Sequence, residues 1–163
     1  MGQTVIRGYY PGVVGLITHA HAVWYHLHWG FDASFETQVG RELSDFIAGF
    51  DGERDGLWVA EHQAAFAGAV AVCGRRAAAE GARLRWFIVV PGLQGQGLGT
   101  DLIRRAVGFC REKGYPRIFL WTFRGLEAAR HVYAKFGFEV TEEHDVAQWG
   151  QFIREQKYEL VLC

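Results

Sequence analysis

The sequence has few cysteines, few prolines and no surplus of charge of either sign. Its three cysteines, Cys73, Cys110 and Cys163, lie far apart and form no CxxC pair, which argues against a zinc ribbon and against a secreted disulfide scaffold. A reducing, cytoplasmic setting is therefore expected. The 17 basic side chains balance 18 acidic ones, so the chain lacks the basic surface typical of a nucleic-acid-binding protein.

The sequence predicts neither a targeting segment nor a membrane anchor. No apolar run approaches the roughly 20 residues that span a bilayer. The first 25 residues hold Arg7, four glycines and two histidines instead of a basic region followed by an apolar core. No Pro-rich or Ser-rich linker divides the 163 residues, and such a chain buries roughly 70% of its unfolded surface. We therefore expect one soluble domain over residues 1–163, with neither nucleic acid nor membrane as a partner.

The spacing of apolar residues predicts a mixed α/β (α+β) fold. Helical spacing begins at Val13 and ends before Gly30, and Asp32 is a suitable N-cap for a second helix. Helices between strands also imply at least one right-handed crossover. The expected order is β-α-α-β-β-β-α-β-α-β-β, with strands over 4–9, 56–61, 65–73, 82–90, 117–123, 138–144 and 152–162 and later helices over 98–113 and 126–136.

The most informative segment is a glycine-rich turn between a buried strand and a helix. It contains four glycines, Gly92, Gly95, Gly97 and Gly99. Because glycine has no side chain, successive backbone N–H groups can approach an anion closely, and the helix N-terminus adds its dipole. We therefore predict that the turn holds a diphosphate, the alternative being a tight turn with no ligand.

Two common nucleotide-binding loops do not match this turn. A Walker A loop ends in Gly-Lys-Ser/Thr, whereas Gly99-Thr100-Asp101 has no lysine. A dinucleotide fingerprint counted from Gly95 requires glycine at position 100, and no acidic residue closes the next strand at Thr122-Phe123-Arg124. The residues of this turn therefore exclude both a Walker A loop and a dinucleotide-binding loop.

The turn resembles the signature of the GNAT superfamily of acyl-CoA-dependent N-acetyltransferases. Gln94-Gly95-Gln96-Gly97-Leu98-Gly99 matches the Q/R-x-x-G-x-G/A pattern of that family. Downstream, the segment 128–138 resembles the family's second motif, with Tyr133 followed by Gly137-Phe138. The resemblance implies the GNAT fold, with a mixed, mostly antiparallel sheet of about seven strands and about four helices.

The N-terminal half is similar to the acetyltransferase domain often fused to MarR-type winged-helix regulators. The similar positions are His19-Ala20-His21, Tyr25, Trp29-Gly30, Phe35-Glu36 and Val39. Because the chain starts at the acetyltransferase strand, we expect no winged helix and no DNA-binding part.

The resemblance implies acetyl-CoA as co-substrate and no metal. Backbone amides of the turn would hold the pyrophosphate, and the N–H of Val89 or its neighbour would polarise the thioester carbonyl. Leu126 stands where the family often has asparagine, which removes one contact to the pantetheine, and Gln94 replaces an arginine. The implied cofactor-binding residues are Ile88, Val89, Val90, Gln94, Gly95, Gln96, Gly97, Leu98, Gly99, Thr100, Ala129 and Tyr133.

Transfer to an amine requires a neutral nucleophile and a proton donor for the departing thiolate. Tyr133 matches the family's tyrosine and is the expected acid, although it shares a helical face with Ala129 and Phe136, so that simple packing is the alternative. His19 and Glu36 are the candidate bases. For Glu36 the alternative is an exposed carboxylate in a first helical turn.

The acceptor amine is expected between the first two helices and a loop near residue 144. His21, Tyr25, Trp29, His144 and Trp149 are the candidate acceptor-binding residues. Trp24 lies on the same side, whereas Trp58, Trp86 and Trp121 are expected in the core. The histidines of the first helix, 19, 21, 26 and 28, contain no i, i+4 pair, so no metal site is expected.

These observations predict an acetyl-CoA-dependent N-acetyltransferase that acts by general acid and base catalysis without a covalent enzyme intermediate. Cys73 falls in a strand, Cys110 on a core stripe and Cys163 at the terminus, so no cysteine is placed as a nucleophile. The alternatives are a non-catalytic acyl-CoA-binding or interaction module and a His-rich metal protein. A small-molecule or protein amine remains open as acceptor, and a homodimer is the assembly that the resemblance suggests.

Overall fold

The computed structural model describes residues 2–162, so Cys163 lies outside the described part. Within those residues the structure has one seven-stranded sheet and five α-helices. The strands are β1 (Thr4–Arg7), β2 (Gly56–His62), β3 (Ala65–Cys73), β4 (Ala82–Val89), β5 (Arg117–Phe123), β6 (Glu139–Gln148) and β7 (Gln151–Val161). The helices are α1 (Val13–Trp29), α2 (Ala33–Ala48), α3 (Ala77–Glu80), α4 (Leu98–Glu112) and α5 (Glu127–Lys135).

The predicted fold class and element order are confirmed, with two differences. The four-residue helix α3 was not predicted, since a single turn is too short to show a period. The strand predicted to end at His144 runs on to Gln148, and a tight turn at Trp149-Gly150 leads into β7. The predicted loop around His144 is therefore a β-hairpin.

The ends of the first two helices follow from local sequence. Gly30 ends α1 in a left-handed conformation, with φ of 72°, where its N–H donates to the carbonyl of His26. The Asp32 carboxylate then caps α2 by accepting a hydrogen bond of 2.9 Å from the Ser34 N–H. These caps fix the angle between two helices that cover the same face of the sheet.

The sheet has the order β1-β2-β3-β4-β5-β7-β6, and only β4 and β5 run parallel. Alternate residues of the central strands bury opposite faces. On one face Val59 packs with Val13, Ile17 and Leu43 of α1 and α2. On the other face the core contains Leu102, Ile103, Ala106 and Cys110 of α4 and Tyr133 of α5. Among residues 2–162 no helix is both long and apolar enough to cross a membrane.

Candidate active site

The site lies where the two parallel strands separate. β4 pairs with β5 only at Ala82↔Ile118 and Arg83↔Phe119. Beyond this point β4 follows β3 as far as Val89, while β5 follows β7 as far as Phe123. Residues beside the gap between the two strands line two cavities.

The first cavity, of about 430 Å³, lies between the glycine-rich turn, β4 and α5. Eight of the predicted cofactor-binding residues line it: Ile88, Val89, Gln94, Gly95, Gly97, Gly99, Thr100 and Ala129. We call it the glycine-turn cleft. Trp24 also lines this cleft and not the predicted acceptor side.

Four predicted cofactor-binding residues do not line the glycine-turn cleft: Tyr133 lines the second cavity described below, whereas Val90, Gln96 and Leu98 line neither cavity. The Val90 N–H donates to the carbonyl of Ala67 at 2.9 Å, which joins it to β3. Leu98, the first residue of α4, packs against the core, and the Gln96 side chain donates to the Gly92 carbonyl. The structure thus leaves these three side chains outside the cleft wall.

The N-terminus of α4 offers unpaired N–H groups to the cleft. Gly97 is the N-cap with φ of 89° and makes no side-chain capping bond, and the first helical bond runs from Asp101 N–H to the Gly97 carbonyl at 3.0 Å. The N–H groups of Leu98, Gly99 and Thr100 therefore have no carbonyl partner within the helix. A Cβ on Gly95 or Gly97 would meet nothing within 4 Å, so positive φ, not space, requires glycine there.

Lys135 brings a cation to this helix terminus. Its Nζ donates to Thr100 Oγ1 at 3.3 Å, and both residues line the glycine-turn cleft. Positive charge beside free helical N–H groups suits a ligand with phosphate groups. Sequence analysis gave Lys135 no role, although it lies within the second motif.

Val89 presents its backbone to the gap between β4 and β5. Hydrogen-bonded pairs alternate along an antiparallel ladder. Since Val90 bonds to Ala67 across β3, the Gly68↔Val89 pair belongs to the non-bonded set. The Val89 carbonyl accepts from Gln94 Nε2 at 3.0 Å on the side away from β3. Its N–H faces the same side, beyond the end of the β4–β5 pairing.

The second cavity, of about 390 Å³, lies on the α1 and α2 side of the sheet and has strongly aromatic walls. It is lined by the predicted residues His21, Tyr25, Tyr133 and Trp149. We call it the aromatic cavity. Tyr25 and Phe87 line both cavities, so they mark the place where the two meet.

His21 is buried in the wall of the aromatic cavity and is neutral. It is 5% exposed, and its Nδ1 lies 2.8 Å from the carbonyl of Ile17. Because a carbonyl only accepts, Nδ1 carries the proton and Nε2 has the lone pair. Burial lowers the pKa of His21 to about 4, so the ring is uncharged at neutral pH.

Tyr133 is 5% exposed and packs against Phe87, Phe138 and Tyr158. Burial raises the pKa of its phenol well above the ordinary value, and burial does the same to the pKa of Tyr25. Both hydroxyls therefore stay protonated at neutral pH and keep a proton that a hydrogen bond can use.

Four predicted residues are not brought to the cavities. His19 and Glu36 are exposed and line neither cavity. Trp29 packs edge-on against Phe123 at 4.8 Å between ring centres. His144 lies on β6 with Nε2 2.8 Å from Glu155 Oε1, and only Glu155 of this pair lines the aromatic cavity.

Several residues that line the aromatic cavity were not predicted from the sequence. Arg83, Arg85 and Trp86 of β4 line the aromatic cavity, as do Trp121 and Gln148. Trp58 and Trp86 pack against the core as expected, although Trp86 also lines the cavity, whereas Trp121 is half-buried and lines the cavity. Two arginines in an otherwise apolar central strand were the available signal, because charged side chains are rarely buried without a partner.

Three solved structures with the same fold share 15% to 18% sequence identity with this chain. The structure of yncA from Salmonella typhimurium, with its cofactor acetyl-CoA, has a TM-score of 0.72 and 18% identity, and the match covers 98% of this chain and 94% of that one. A GNAT-family acetyltransferase from Staphylococcus aureus Mu50 has a TM-score of 0.78 and 15% identity, covering 99% and 100%. The ribosomal-protein-S18-alanine N-acetyltransferase from Escherichia coli has a TM-score of 0.72 and 17% identity, covering 98% and 94%.

These structures show the fold, and membership of a family rests on the sequence. No curated relative matches the chain. The narrower likeness to MarR-fused acetyltransferase domains finds no support in these matches and stays a prediction. The model of the Acetyltransferase (GNAT) family matches residues 21–138, which is more than half of the chain and includes the glycine-rich turn. The chain therefore belongs to the GNAT acetyltransferase family.

Proposed function

We propose that the protein transfers an acetyl group from acetyl-CoA to the amine of an acceptor bound in the aromatic cavity. The observation that carries this proposal is the meeting of the two cavities at Tyr25 and Phe87, where β4 and β5 part. The structure of yncA with acetyl-CoA supports the choice of co-substrate. The N-acetyltransferase from Escherichia coli supports an amine as the acceptor.

The residues of the glycine-turn cleft fit acetyl-CoA. Free amides at Leu98, Gly99 and Thr100 and the Lys135 ammonium would bind its phosphates, and Ile88 and Val89 would line its pantetheine. When bound, acetyl-CoA supplies an activated acetyl group as a thioester. The Val89 N–H would donate to the carbonyl oxygen, where negative charge develops as the amine attacks.

The chemistry needs one bond made, one bond broken and one proton moved. The amine nitrogen bonds to the acetyl carbon, the C–S bond breaks, the nitrogen loses a proton and the thiolate gains one. The Tyr133 hydroxyl, buried at the aromatic cavity, is the proposed proton donor to sulfur, and the proton released by the amine nitrogen restores this hydroxyl. The Nε2 lone pair of His21 is the proposed acceptor that orients the amine, in place of the exposed His19 and Glu36.

A variant that fills the glycine-turn cleft tests the proposal. A Cβ on Gly99 would lie 3.1 Å from Phe87 Cζ at the cleft wall, whereas a Cβ on Gly108 of the same helix would meet nothing within 4 Å. We expect wild type and Gly108→Leu to release CoA thiol when given acetyl-CoA and a panel of amines. Gly99→Leu should lose more than about tenfold of this rate. If no amine in the panel releases CoA, the proposed activity is wrong.

A further inference from the structure

The aromatic cavity contains one charged side chain that lacks a counter-ion. Four ionised residues line the cavity: Arg83, Arg85, Glu42 and Glu155. Arg85 Nη2 pairs with Glu42 Oε2 at 3.0 Å, and Glu155 Oε1 lies 2.8 Å from His144 Nε2. Within residues 2–162, no carboxylate lies within ion-pair distance of Arg83.

The unpaired group is the inner edge of the Arg83 guanidinium. Its Nε is buried and has no hydrogen-bond partner among the described residues. Burial and the neighbouring Arg85 lower the pKa of Arg83, yet an arginine stays protonated in a protein. A buried donor without an acceptor costs stability unless a bound group satisfies it. Nε and a neighbouring Nη form a fork that matches the two oxygens of a carboxylate.

A buried acceptor without a donor lies in the wall of the same cavity. Gln148 Oε1 is buried and unpartnered within the described chain, and Gln148 lines the cavity. The β6–β7 hairpin fixes its backbone, because Gln148 pairs with Gln151 beside the tight turn. Two residues of the cavity wall thus each contain a buried polar atom, one donor and one acceptor, without a partner among the described residues.

The aromatic walls do not favour a ligand that is only cationic. The Arg85 guanidinium carbon lies 4.3 Å from the centre of the Trp86 ring, and Lys157 Nζ lies 5.8 Å from that of Trp121. The chain's own cations therefore already lie over two of the tryptophan faces. What remains for a ligand is apolar contact with the rings and the unpaired groups of Arg83 and Gln148.

We propose that the acceptor is an amino-acid-like molecule, an amine that carries its own carboxylate. The carboxylate binds the guanidinium of Arg83, and an N–H group of the same molecule donates to Gln148 Oε1. An apolar side chain lies against the aromatic walls. This inference rests on the proposed function, because it takes the aromatic cavity as the acceptor site.

Matched substrates test the carboxylate directly. Common amino acids and the corresponding carboxamides are compared as acceptors in the CoA-release assay, since the pair differ in the anionic group. Wild type should acetylate at least one amino acid with kcat/KM about 10- to 100-fold above that for its amide. Arg83→Met should lose that preference, with a fall in kcat/KM at least about tenfold larger for the amino acid than for its amide.

Two further variants separate recognition from folding. Arg83→Lys keeps the charge and loses the fork, so it should recover only part of the preference. Arg76→Gln changes an arginine whose side chain is 73% exposed and should behave as wild type. Equal kcat/KM for acid and amide in wild type, or equal loss on both in a folded Arg83→Met, would overturn the proposal.

Failure of the acetyl transfer itself is distinguishable from failure of this inference. If no amine is acetylated, the amino acids and their amides are titrated calorimetrically into the protein with CoA present. Binding of an amino acid that exceeds that of its amide and disappears in Arg83→Met would support the carboxylate site. Equal binding of the two, or no binding of either, would overturn it.

Discussion

At the scale of single residues, the two histidines of α1 show how sharply position decides chemistry. His19 and His21 are two places apart, and a helix turns by about 100° per residue, so they face nearly opposite directions. His19 is exposed, whereas His21 is buried against the aromatic cavity. The sequence predicted His19 as a candidate base and His21 as an acceptor-binding residue, and only the packed face of α1 shows that His21 is the buried one.

The burial of His21 makes stability depend on pH. Its pKa is about 4 in the folded chain and about 6.5 when unfolded. Between these values the unfolded chain binds the additional proton, so the free energy of unfolding decreases as pH falls from about 6.5 to about 4. We expect this group to contribute a loss of about 3 kcal/mol across that window.

His21→Phe removes this titration and keeps an aromatic ring beside Tyr25, so its denaturation curves should depend less on pH over that window. The exposed residue His19 supplies the matched control, and His19→Phe should keep the wild-type dependence. Parallel pH dependence in wild type and His21→Phe would contradict the assignment of a buried neutral ring.

Tyr133 tests the proposed proton donor. Tyr133→Phe keeps the packing against Phe87 and Phe138 but removes the hydroxyl. We expect kcat for acetyl transfer to fall about 100-fold with little change in KM for acetyl-CoA. Tyr158→Phe, which alters the neighbouring ring in the core and lines neither cavity, should leave kcat unchanged. Full kcat in Tyr133→Phe at every pH would make Tyr133 a packing residue.

At the scale of elements, α4 connects the glycine-rich turn to the core. One face buries Leu102, Ala106 and Cys110, while the N-terminus opens onto the glycine-turn cleft. The core contacts therefore fix the direction in which the free amides point. Lys135 at the end of α5 reaches this terminus through Thr100.

Charge at this terminus can be tested with two lysines near opposite ends of α4. Lys135→Gln should raise Kd for acetyl-CoA about tenfold and reduce the dependence of Kd on salt, since a charge-assisted contact to phosphate is lost. Lys113→Gln, at the C-cap, should leave both quantities unchanged. Calorimetric titration at two salt concentrations measures them, and equal Kd for the two variants would contradict a phosphate contact at Lys135.

The sequence predicted those elements whose signals are local. β3 over Ala65–Cys73 and β5 over Arg117–Phe123 have the predicted bounds because each is a continuous apolar run. The predicted strand stopped at His144, whereas β6 continues to Gln148. Most side chains of β6 are exposed, so apolar spacing gives no signal for its last residues, which pair with β7 instead. The parting of β4 from β5 depends on pairing between distant segments, so no single stretch encodes it.

The same distinction applies to the candidate site. The glycine-rich turn could be predicted because its glycines, its strand and its helix are adjacent in sequence. The aromatic cavity assembles side chains from distant elements, among them Tyr25, Arg83 and Gln148. Their side chains meet only through the sheet order, which sequence spacing does not reveal.

At the scale of the whole molecule, the two cavities lie beside the β4–β5 gap and share Tyr25 and Phe87 in their walls. A ligand that binds only the folded chain stabilises it, by about 2.7 kcal/mol at a concentration 100 times Kd. For a domain of this size we expect acetyl-CoA to raise Tm by roughly 5–10 °C. Acetyl phosphate, which has an acetyl group but cannot fill the glycine-turn cleft, serves as the control and should leave Tm unchanged in a thermal melt. Equal shifts with the two compounds would contradict specific binding in the cleft.

The central claim is direct transfer from acetyl-CoA to an amine at the junction of the two cavities. Its most direct test is mass spectrometry of both the acceptor and the intact protein, quenched within one turnover. The account predicts an acetyl group on the amine, a matching amount of free CoA and no acetyl group on the protein. An acetylated protein as intermediate, or CoA released while every amine remains unmodified, would contradict it.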